Sequence, residues 1–283
     1  MGFVLFFGAS KRNVETMKRV CLIVVLAFTA KLGAQSTLPH ANANAAFDSY
    51  VAQFESQLDQ RHRSPIGYVA LTGDPQSLEA RLHNGELLLE KKAAGKKVAG
   101  GLIHHWRGTV FVAGVSAADF LRVLRDVDRF TVYYKPQVVR SRLVSNAGEA
   151  RQVSMRFRQH KIITVTLDTV YDVHDSALDG AHGYSISRST EVSEIADADS
   201  PHEHALTPAD DHGFMWRLNS YWSYVQRSDG LLLQLDAISL TRDVPLGLDW
   251  LVGPFVFSVP RESLEFTLNA TRTALLNGRH DGN

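Results

Sequence analysis

The chain has 283 residues, of which 45% are hydrophobic and 21% are charged, an ordinary globular composition that allows a sizeable core. Lys and Arg together number 30, as do Asp and Glu, so no net charge favours nucleic acid or an anionic membrane surface as a partner. Cys21 is the sole cysteine and lies in the hydrophobic N-terminal run described next, which excludes disulfides and a cysteine nucleophile from the mature protein.

The N-terminal region has the pattern of a secretory signal peptide. A basic M-K-R at residues 17–19 precedes a short apolar run at residues 20–28, and small residues follow up to Ala34. The apolar run is too short to cross a bilayer comfortably. We expect residues 1–34 to be a signal peptide whose true start is Met17, with cleavage near Ala34 and export to the periplasm or the outside. An uncleaved segment would instead anchor the protein in a membrane.

Residues 35–100 are expected to form a linker, a helix and a few short strands. The Ala- and Asn-rich residues 38–46 are typical of a linker, whereas residues 46–61 place apolar side chains at helical intervals. Three short strand-like stretches follow: 67–71, 77–83 and 85–92. The sequence leaves open whether this region is a separate subdomain or an extension of the main sheet.

A sustained pattern of strands and helices runs through residues 101–278. It begins with a strand at residues 102–115, a helix capped by Ser116 and a short aromatic helix or turn at residues 128–135. Strand patterns with loop signals between them then follow: 137–145, 149–158, 161–174, 182–195, 214–227 and 231–240. Consecutive strands with short loops predict an antiparallel sheet with one covered face.

The closing helix is predicted at residues 258–278, followed by a disordered tail at 279–283. Ser258 suits the N-cap, Pro260 the first turn and Gly278 the C-terminal stop. One face carries a stripe made by Leu264, Leu268, Thr271 and Leu275, flanked by small residues at Ser263, Thr267, Ala270 and Ala274. A helix that only filled a core would carry bulk across this face, so the small flank indicates free space beside it.

These patterns together predict an α+β helix-grip fold. A curved antiparallel β-sheet wraps around the long C-terminal helix, and a helical and β extension precedes it. Within the last hairpin, alternation places Trp216, Ser220 and Trp222 on the inner face, and a turn at Ser228-Asp229 pairs Trp222 with Leu235. An aromatic inner face is more often solid core than pocket.

Two features besides the small helix flank favour a partly open interior. Ser220 is a polar residue in the middle of the inner row, and Arg188 is assigned to the inner side of its strand, with Tyr184 and Ile186. A buried arginine needs a carboxylate or a polar group of a ligand, which makes Arg188 a candidate ligand contact. The alternative is that Arg188 reaches solvent at the edge of the sheet.

Two segments resemble the SRPBCC superfamily of START-like helix-grip proteins: V-S-A-A-D-F-L-R-V-L-R-D-V-D-R-F-T-V-Y-Y-K-P at residues 115–136, and the run from G-F-M-W-R-L-N-S-Y-W to G-P-F-V-F-S-V-P-R-E-S-L-E-F-T-L within residues 213–268. The resemblance covers residues 102–276 and is specific for fold rather than activity, because the superfamily includes lipid carriers, aromatase/cyclases and oxygenase subunits. It implies a ligand pocket between sheet and closing helix. The implied lining is Trp216, Ser220, Trp222, Leu235, Leu264, Thr267 and Thr271, with Tyr133 and Tyr134 near one mouth.

Metal and nucleophile chemistry are less well supported. His202, Glu203 and His204 lie in a polar loop without strand or helix support, so we predict no metal site and no cofactor. No G-x-S-x-G elbow surrounds Ser220, which disfavours a hydrolase, and we predict no catalytic residues.

The sequence therefore predicts an exported, non-enzymatic protein that binds a lipid or other hydrophobic small molecule. Such a carrier would also contact membranes transiently. One alternative is a cyclase- or dehydratase-like enzyme that uses Arg188, Tyr221 or Ser220 as acid–base groups. The other is a structural or interaction protein with a solid core.

Overall fold

The computed structural model describes residues 38–64, 66–160, 163–243 and 249–278. The predicted signal peptide and its cleavage site lie outside these residues, as does the predicted tail. Within the described part of the chain, no helix is both long and apolar enough to cross a membrane.

The described residues form five α-helices: α1 (Leu38–His62), α2 (Pro75–His83), α3 (Ala117–Arg125), α4 (Phe130–Tyr133) and α5 (Asp249–Asn277). They also form nine strands: β1 (Leu88–Val98), β2 (Gly101–Ala113), β3 (Val138–Ala147), β4 (Ala150–His160), β5 (Thr164–Ala177), β6 (His182–Ala196), β7 (His204–Ala205), β8 (Arg217–Gln226) and β9 (Gly230–Arg242). A 3₁₀ turn at Val127–Arg129 joins α3 to α4.

The strands form one antiparallel sheet in the order β1-β2-β9-β8-β6-β5-β4-β3, with β7 paired to the end of β6. Leu264, Leu268 and Leu275 of α5 pack with Trp222 and other residues of one face, here called the inner face. The long helix on an antiparallel sheet confirms the predicted α+β helix-grip fold. Of the described helices, α5 makes the most extensive contact with the sheet, chiefly on β2.

The opposite, outer face of the sheet is also covered, which the sequence did not predict. Phe47, Phe54 and Leu58 of α1 are buried against outer-face residues such as Tyr221 and Ile238. Further along this face, α2 packs its own buried leucines with residues of β2, β8 and β9. The sheet is therefore the middle layer of three.

Several predictions for the N-terminal region were wrong. The expected linker at residues 38–46 is the first part of α1, and residues 67–71 form turns rather than a strand. Residues 77–83 belong to helix α2, which begins where the Asp74 side chain accepts a hydrogen bond from the Ser77 amide. The short apolar pattern fits either structure, and the preceding Asp-Pro marks a helix start.

Helix α5 begins before its predicted start. Because it runs from Asp249, Ser258 is not its N-cap and Pro260 lies in its interior. Its end agrees with the prediction, since the last helical residue, Asn277, immediately precedes Gly278. Residues 249–257, including Pro254, thus also belong to the helix, and residues 244–248 lie outside the described part.

The β8–β9 register agrees with the predicted hairpin. Trp222 pairs with Leu235, Ser220 with Ala237 and Tyr221 with Asp236. The alternation holds only within β8, however, because Phe214 and Met215 precede the strand and both face inward. Trp216 consequently lies on the outer side.

Two histidines, the buried His104 and the half-buried His62, are expected to make stability fall in mild acid. Burial lowers the pKa of His62 and of His104 to about 4, and the neighbouring Arg61 lowers that of His62 further in the same direction. The unfolded chain titrates near the ordinary value of about 6.5, so from there down to the folded value the unfolded state binds more protons. The free energy of unfolding should therefore fall as pH drops through this window and be unaffected above it.

Urea unfolding above and within that window measures the effect. His62→Gln should show a smaller fall than the wild type, whereas His202→Gln, at an exposed loop position, should behave like the wild type. An equal fall in His62→Gln and the wild type would contradict the assignment to His62.

Candidate functional site

A cavity of about 270 Å³ lies between the inner face of the sheet and α5. Its walls come from strands β3, β4, β5, β6, β8 and β9, from α3, from α4 and the residues after it, from the loop before β8 and from α5. They are mostly apolar, including Val153, Met155, Phe157, Val165, Leu167, Val173, Leu218, Trp222, Leu235, Leu264 and Phe266. This volume is slightly below the usual range of small-molecule pockets, about 300 to 1,000 Å³.

Small side chains on both the sheet and the helix leave this space open. The sheet contributes Ser185, Ser187 and Ser220, and α5 contributes Ser263 and Thr267. The other two small residues of the α5 flank, Ala270 and Ala274, pack into the core instead. The predicted free space is therefore present, but only along the N-terminal half of the predicted flank.

Gly108 of β2 brings the other side of α5 close to the sheet. A Cβ atom at this position would collide with the Leu268 side chain and would also approach Leu89 and Leu264. The glycine thus lets Leu268 sit directly over the strand. Helix α5 therefore packs closely against β2, whereas on the side of β8 the cavity lies between the helix and the sheet.

Arg151 brings a buried positive charge to the cavity wall. Its Nη1 donates to Asp175 Oδ2 at 2.5 Å and its Nη2 to the Leu124 carbonyl at 3.4 Å, while its Nε has no hydrogen-bond partner among the described residues. Burial by itself raises the pKa of Asp175, but Arg151 and Arg125 more than offset this and hold the pKa below its usual value. The pair is therefore ionised, with one donor of Arg151 left over.

Sequence reasoning missed Arg151, although a signal was present. It occupies the same alternating row of β4 as the apolar residues Val153, Met155 and Phe157. Extending that row by one more step towards the N-terminus would have placed an arginine on the inner face.

Two tyrosines add hydroxyl groups to this interior. Tyr171 lines the cavity, and its buried hydroxyl lies near the Thr169 hydroxyl but forms no hydrogen bond of normal geometry with a described residue. Burial raises its pKa, opposed by the nearby Thr169 hydroxyl. Tyr134 shares a hydrogen bond of 3.1 Å with Thr271, and burial raises its pKa to about 12. Both phenols are thus neutral hydrogen-bonding groups at ordinary pH.

Six of the ten predicted ligand contacts border the cavity: Tyr134, Ser220, Trp222, Leu235, Leu264 and Thr267. Thr271 is fully buried beside them, bonded to Tyr134. Tyr133 is not part of the lining, and its hydroxyl donates to Asp126 Oδ2 at 2.6 Å.

Arg188 and Trp216 lie on the outer face, contrary to the prediction. The exposed Arg188 donates from Nε to Glu55 of α1 at 2.7 Å, and Trp216 packs with Phe47 while its indole nitrogen donates to Asp211. Tyr184 and Ile186, the apolar neighbours of Arg188, were assigned to the inner face of the sheet because only one covered face was expected. They are apolar because α1 covers them.

Groups suited to acid–base chemistry are scarce around the cavity. Among the described lining residues, Arg151 is the only charged side chain, and none is His, Asp, Glu or Cys. The described residues also hold no group of three or more His, Cys, Asp or Glu placed to bind a metal.

Solved structures with a similar fold include a lipid transfer protein, human STARD10 and an aromatase/cyclase. The STAR-related lipid transfer protein (fragment 25–204) from Xanthomonas axonopodis is 21% identical with a TM-score of 0.41, over 65% of this chain and 97% of that one. Human STARD10 is 11% identical with a TM-score of 0.41, over 71% and 80%. The Zhui aromatase/cyclase from Streptomyces sp. R1128 is 21% identical with a TM-score of 0.37, over 62% and 90%.

Neither a family model nor a curated protein matches the sequence. At these identities and TM-scores the three structures bear on neither ligand nor activity, and the fold assignment rests on the sheet and α5 themselves.

Proposed function

We propose that this protein binds a hydrophobic small molecule in the cavity between the inner face of the sheet and α5. The observation that carries the proposal is an apolar cavity of about 270 Å³ with an unpaired Arg151 Nε and an unpaired Tyr171 hydroxyl in its wall. Burying such donors without partners is costly, and a ligand acceptor would offset that cost.

The size and polarity of the cavity narrow the ligand class. A single-chain or compact polycyclic molecule suits the volume better than a two-chain lipid does. The two free donors favour a ligand with one acceptor group, such as a carboxylate or carbonyl, on an otherwise apolar body.

Native mass spectrometry and solvent extraction of the purified protein test the proposal. We expect one apolar small molecule per chain, released by organic solvent. Failure to retain any ligand, together with failure to bind single-chain fatty-acid and polycyclic fluorescent probes, would overturn it.

Replacing Tyr171 with phenylalanine should weaken binding of an acceptor-bearing ligand. The change removes only a hydroxyl, whose loss as a hydrogen-bond donor is worth about 1 kcal/mol, or roughly fivefold in Kd. Fluorescence titration with a fatty acid and with an alkane of equal chain length measures the difference. The fatty acid should lose affinity and the alkane should not.

Tyr133→Phe is the matched control, because Tyr133 lies outside the cavity lining. Thermal stability of Tyr171→Phe should be unchanged or higher, since the lost hydroxyl has no partner in the described residues. Equal fatty-acid affinity in Tyr171→Phe and the wild type would show that the polar end of the ligand lies elsewhere.

Two of the three residues named for the enzyme alternative do not reach the cavity. Arg188 and Tyr221 face α1 rather than the cavity, where both bond Glu55, and Ser220 remains without a neighbouring base among the described lining residues. The cavity itself weighs against a solid core. Neither alternative is favoured by an observation of its own.

Export remains part of the proposal, with residues 1–34 acting as a cleaved signal peptide. Its support is the basic, apolar and small-residue order of the sequence. N-terminal sequencing of the mature protein tests it, and Met1 or Met17 at the N-terminus would reject cleavage. Transient membrane contact is likewise proposed, as the step in which an apolar ligand is loaded.

A further inference from the structure

A second cleft, of about 690 Å³, lies on the outer side of the sheet between α1 and strands β1 and β2. It is on the opposite face from the cavity described above. Its walls are more polar than those of the inner cavity, and they include Gln53, Gln57, Arg61, Lys92 and Arg107.

Helix α1 separates its charges between its two sides. Tyr50, Gln53, Gln57, Gln60, Arg61 and Ser64 follow helical spacing and line the cleft. The acids Asp48 and Glu55 instead pair with Arg217 and Arg188 of β8 and β6. The side of α1 that faces the cleft therefore offers amide, hydroxyl and guanidinium groups and no carboxylate.

Arg61 is half-buried in this cleft without a carboxylate partner. Its only hydrogen bond among the described residues is a long one of 3.4 Å, from Nη1 to Gln234 Oε1. Burial and the nearby Arg107 both lower its pKa, and Asp236 acts against them. Two guanidinium groups thus lie close enough to repel each other.

Arg107 is buried and held in place by its Nε alone. This nitrogen donates to both carboxylate oxygens of Asp236, at 2.9 and 3.1 Å. His105 bonds the same carboxylate through Nε2 at 2.8 Å and meets the Tyr50 hydroxyl at 2.9 Å through Nδ1. The two terminal nitrogens of Arg107 have no partner among the described residues, although Arg107 borders the cleft.

The charges around the cleft do not balance. Arg61 and Arg107 share one carboxylate, that of Asp236, whose hydrogen bonds are already taken by Arg107 and His105. Lys92 at the rim is 3.7 Å from Glu90, which also accepts from Thr72. One positive charge therefore remains uncompensated beside several unused N–H donors.

We propose that this outer cleft is a second binding site, which takes a phosphate group between Arg61 and Arg107 with the glutamine amides of α1 as further donors. Planar guanidinium groups match phosphate oxygens in pairs, and the negative charge of a phosphate group compensates the remaining positive charge. The phosphate belongs either to a free soluble phosphate or to a lipid headgroup.

Two experiments separate these sources. Calorimetric titration with inorganic phosphate detects the soluble form, and flotation with vesicles of phosphatidylcholine, alone or mixed equally with phosphatidic acid, detects the headgroup. Saturable phosphate binding supports the first source, and binding to the mixed vesicles alone supports the second. Absence of both would overturn the proposal.

Arg61→Gln should weaken the binding by roughly tenfold or more, because it removes a charged hydrogen-bond donor. The matched control is Arg63→Gln, two residues away on the same helix end, exposed and outside the cleft. An equal loss in both variants would indicate general attraction to positive charge and would also overturn the site.

A second pair of variants covers the case in which Arg61→Gln does not fold. Gln57→Glu places a carboxylate in the cleft at an exposed helix position, and Ser56→Glu adds the same charge next to it but outside the lining. Gln57→Glu should abolish phosphate binding and Ser56→Glu should preserve most of it. Both should retain fatty-acid binding in the inner cavity, so that failure of this site is distinguishable from failure of the other.

Discussion

Thr267→Phe is expected to abolish ligand binding without unfolding the protein. Thr267 stands on the cavity side of α5, half-buried, so a phenyl ring there would occupy the space that a ligand needs. Displacing about four methylene groups of a ligand forfeits about 3 kcal/mol, or roughly 200-fold in Kd. Titration with a fluorescent single-chain fatty acid measures the change.

Thr273→Phe is a closely matched control on the same helix. The Thr273 hydroxyl donates to the carbonyl four residues earlier at 2.9 Å, just as that of Thr267 does at 2.8 Å. Both substitutions therefore lose the same local bond, but Thr273 is exposed. Full affinity in Thr267→Phe would place the ligand elsewhere, and equal loss in both variants would point to damage to the helix.

The melting temperature distinguishes a phenyl ring that fills existing space from one that displaces its neighbours. If the ring occupies existing space, Thr267→Phe should melt at or above the wild-type temperature, because it buries apolar surface without displacing neighbours. Overpacking would instead cost about 1 to 3 kcal/mol. A large drop in melting temperature together with lost binding would therefore not count as support for the site.

The inner face was predictable because its strands are long and alternate cleanly. The pairing of Trp222 with Leu235 follows from one turn at Ser228-Asp229. This register then decides on which face of the sheet each side chain of β8 and β9 lies. The same regularity put Ser220 on the inner face and paired Leu235 with the inner Trp222, whereas Leu264 and Thr267 were assigned to the pocket through the resemblance to START-like proteins; all four line the cavity. Where alternation stopped, at Trp216, the prediction was wrong.

The outer layer was unpredictable because apolar alternation does not say which face is inner. Tyr184 and Ile186 are apolar in sequence, and α1 covers them from the outer side. An N-terminal helix far from the sheet in sequence gives no local signal of where it packs. Arg188 was misplaced for this reason, since its partner Glu55 lies 133 residues away.

The buried charges were equally hidden from the sequence. Asp236 faces Tyr221 across the hairpin, as the pairing of Trp222 with Leu235 requires, but its partners Arg107 and His105 come from another strand. Their meeting depends on β2 lying next to β9, where Arg107 and Asp236 are directly opposite. Strand order is a property of the whole sheet and cannot be obtained from the composition of one strand.

Asp236→Ala is expected to cost the most stability of any single change considered for this protein. Asp236 is only 1% exposed, and it is the carboxylate partner of both Arg107 and His105. Removing one partner of a buried ion pair leaves an uncompensated charge and typically costs about 3 to 5 kcal/mol. This is a large share of the about 5 to 15 kcal/mol that stabilises a domain.

Urea unfolding near neutral pH measures this loss. Asp172→Ala is the control, because Asp172 is an exposed strand carboxylate whose hydrogen bond is to Gln152. Exposed groups of this kind are worth less than about 1 kcal/mol. A loss below that value in Asp236→Ala would mean that water or another group compensates Arg107.

The pH dependence gives an independent check on the same carboxylate. Burial by itself raises the pKa of Asp236, but His105 and Arg107 more than offset it and leave the pKa below its usual value. Its contribution is therefore fully present above the unfolded pKa of about 3.9 and is lost as pH falls through the lower folded pKa. The stability gap between wild type and Asp236→Ala should stay constant near neutral pH and narrow only in strong acid. A gap that narrows already at mildly acidic pH would assign the effect to a histidine instead.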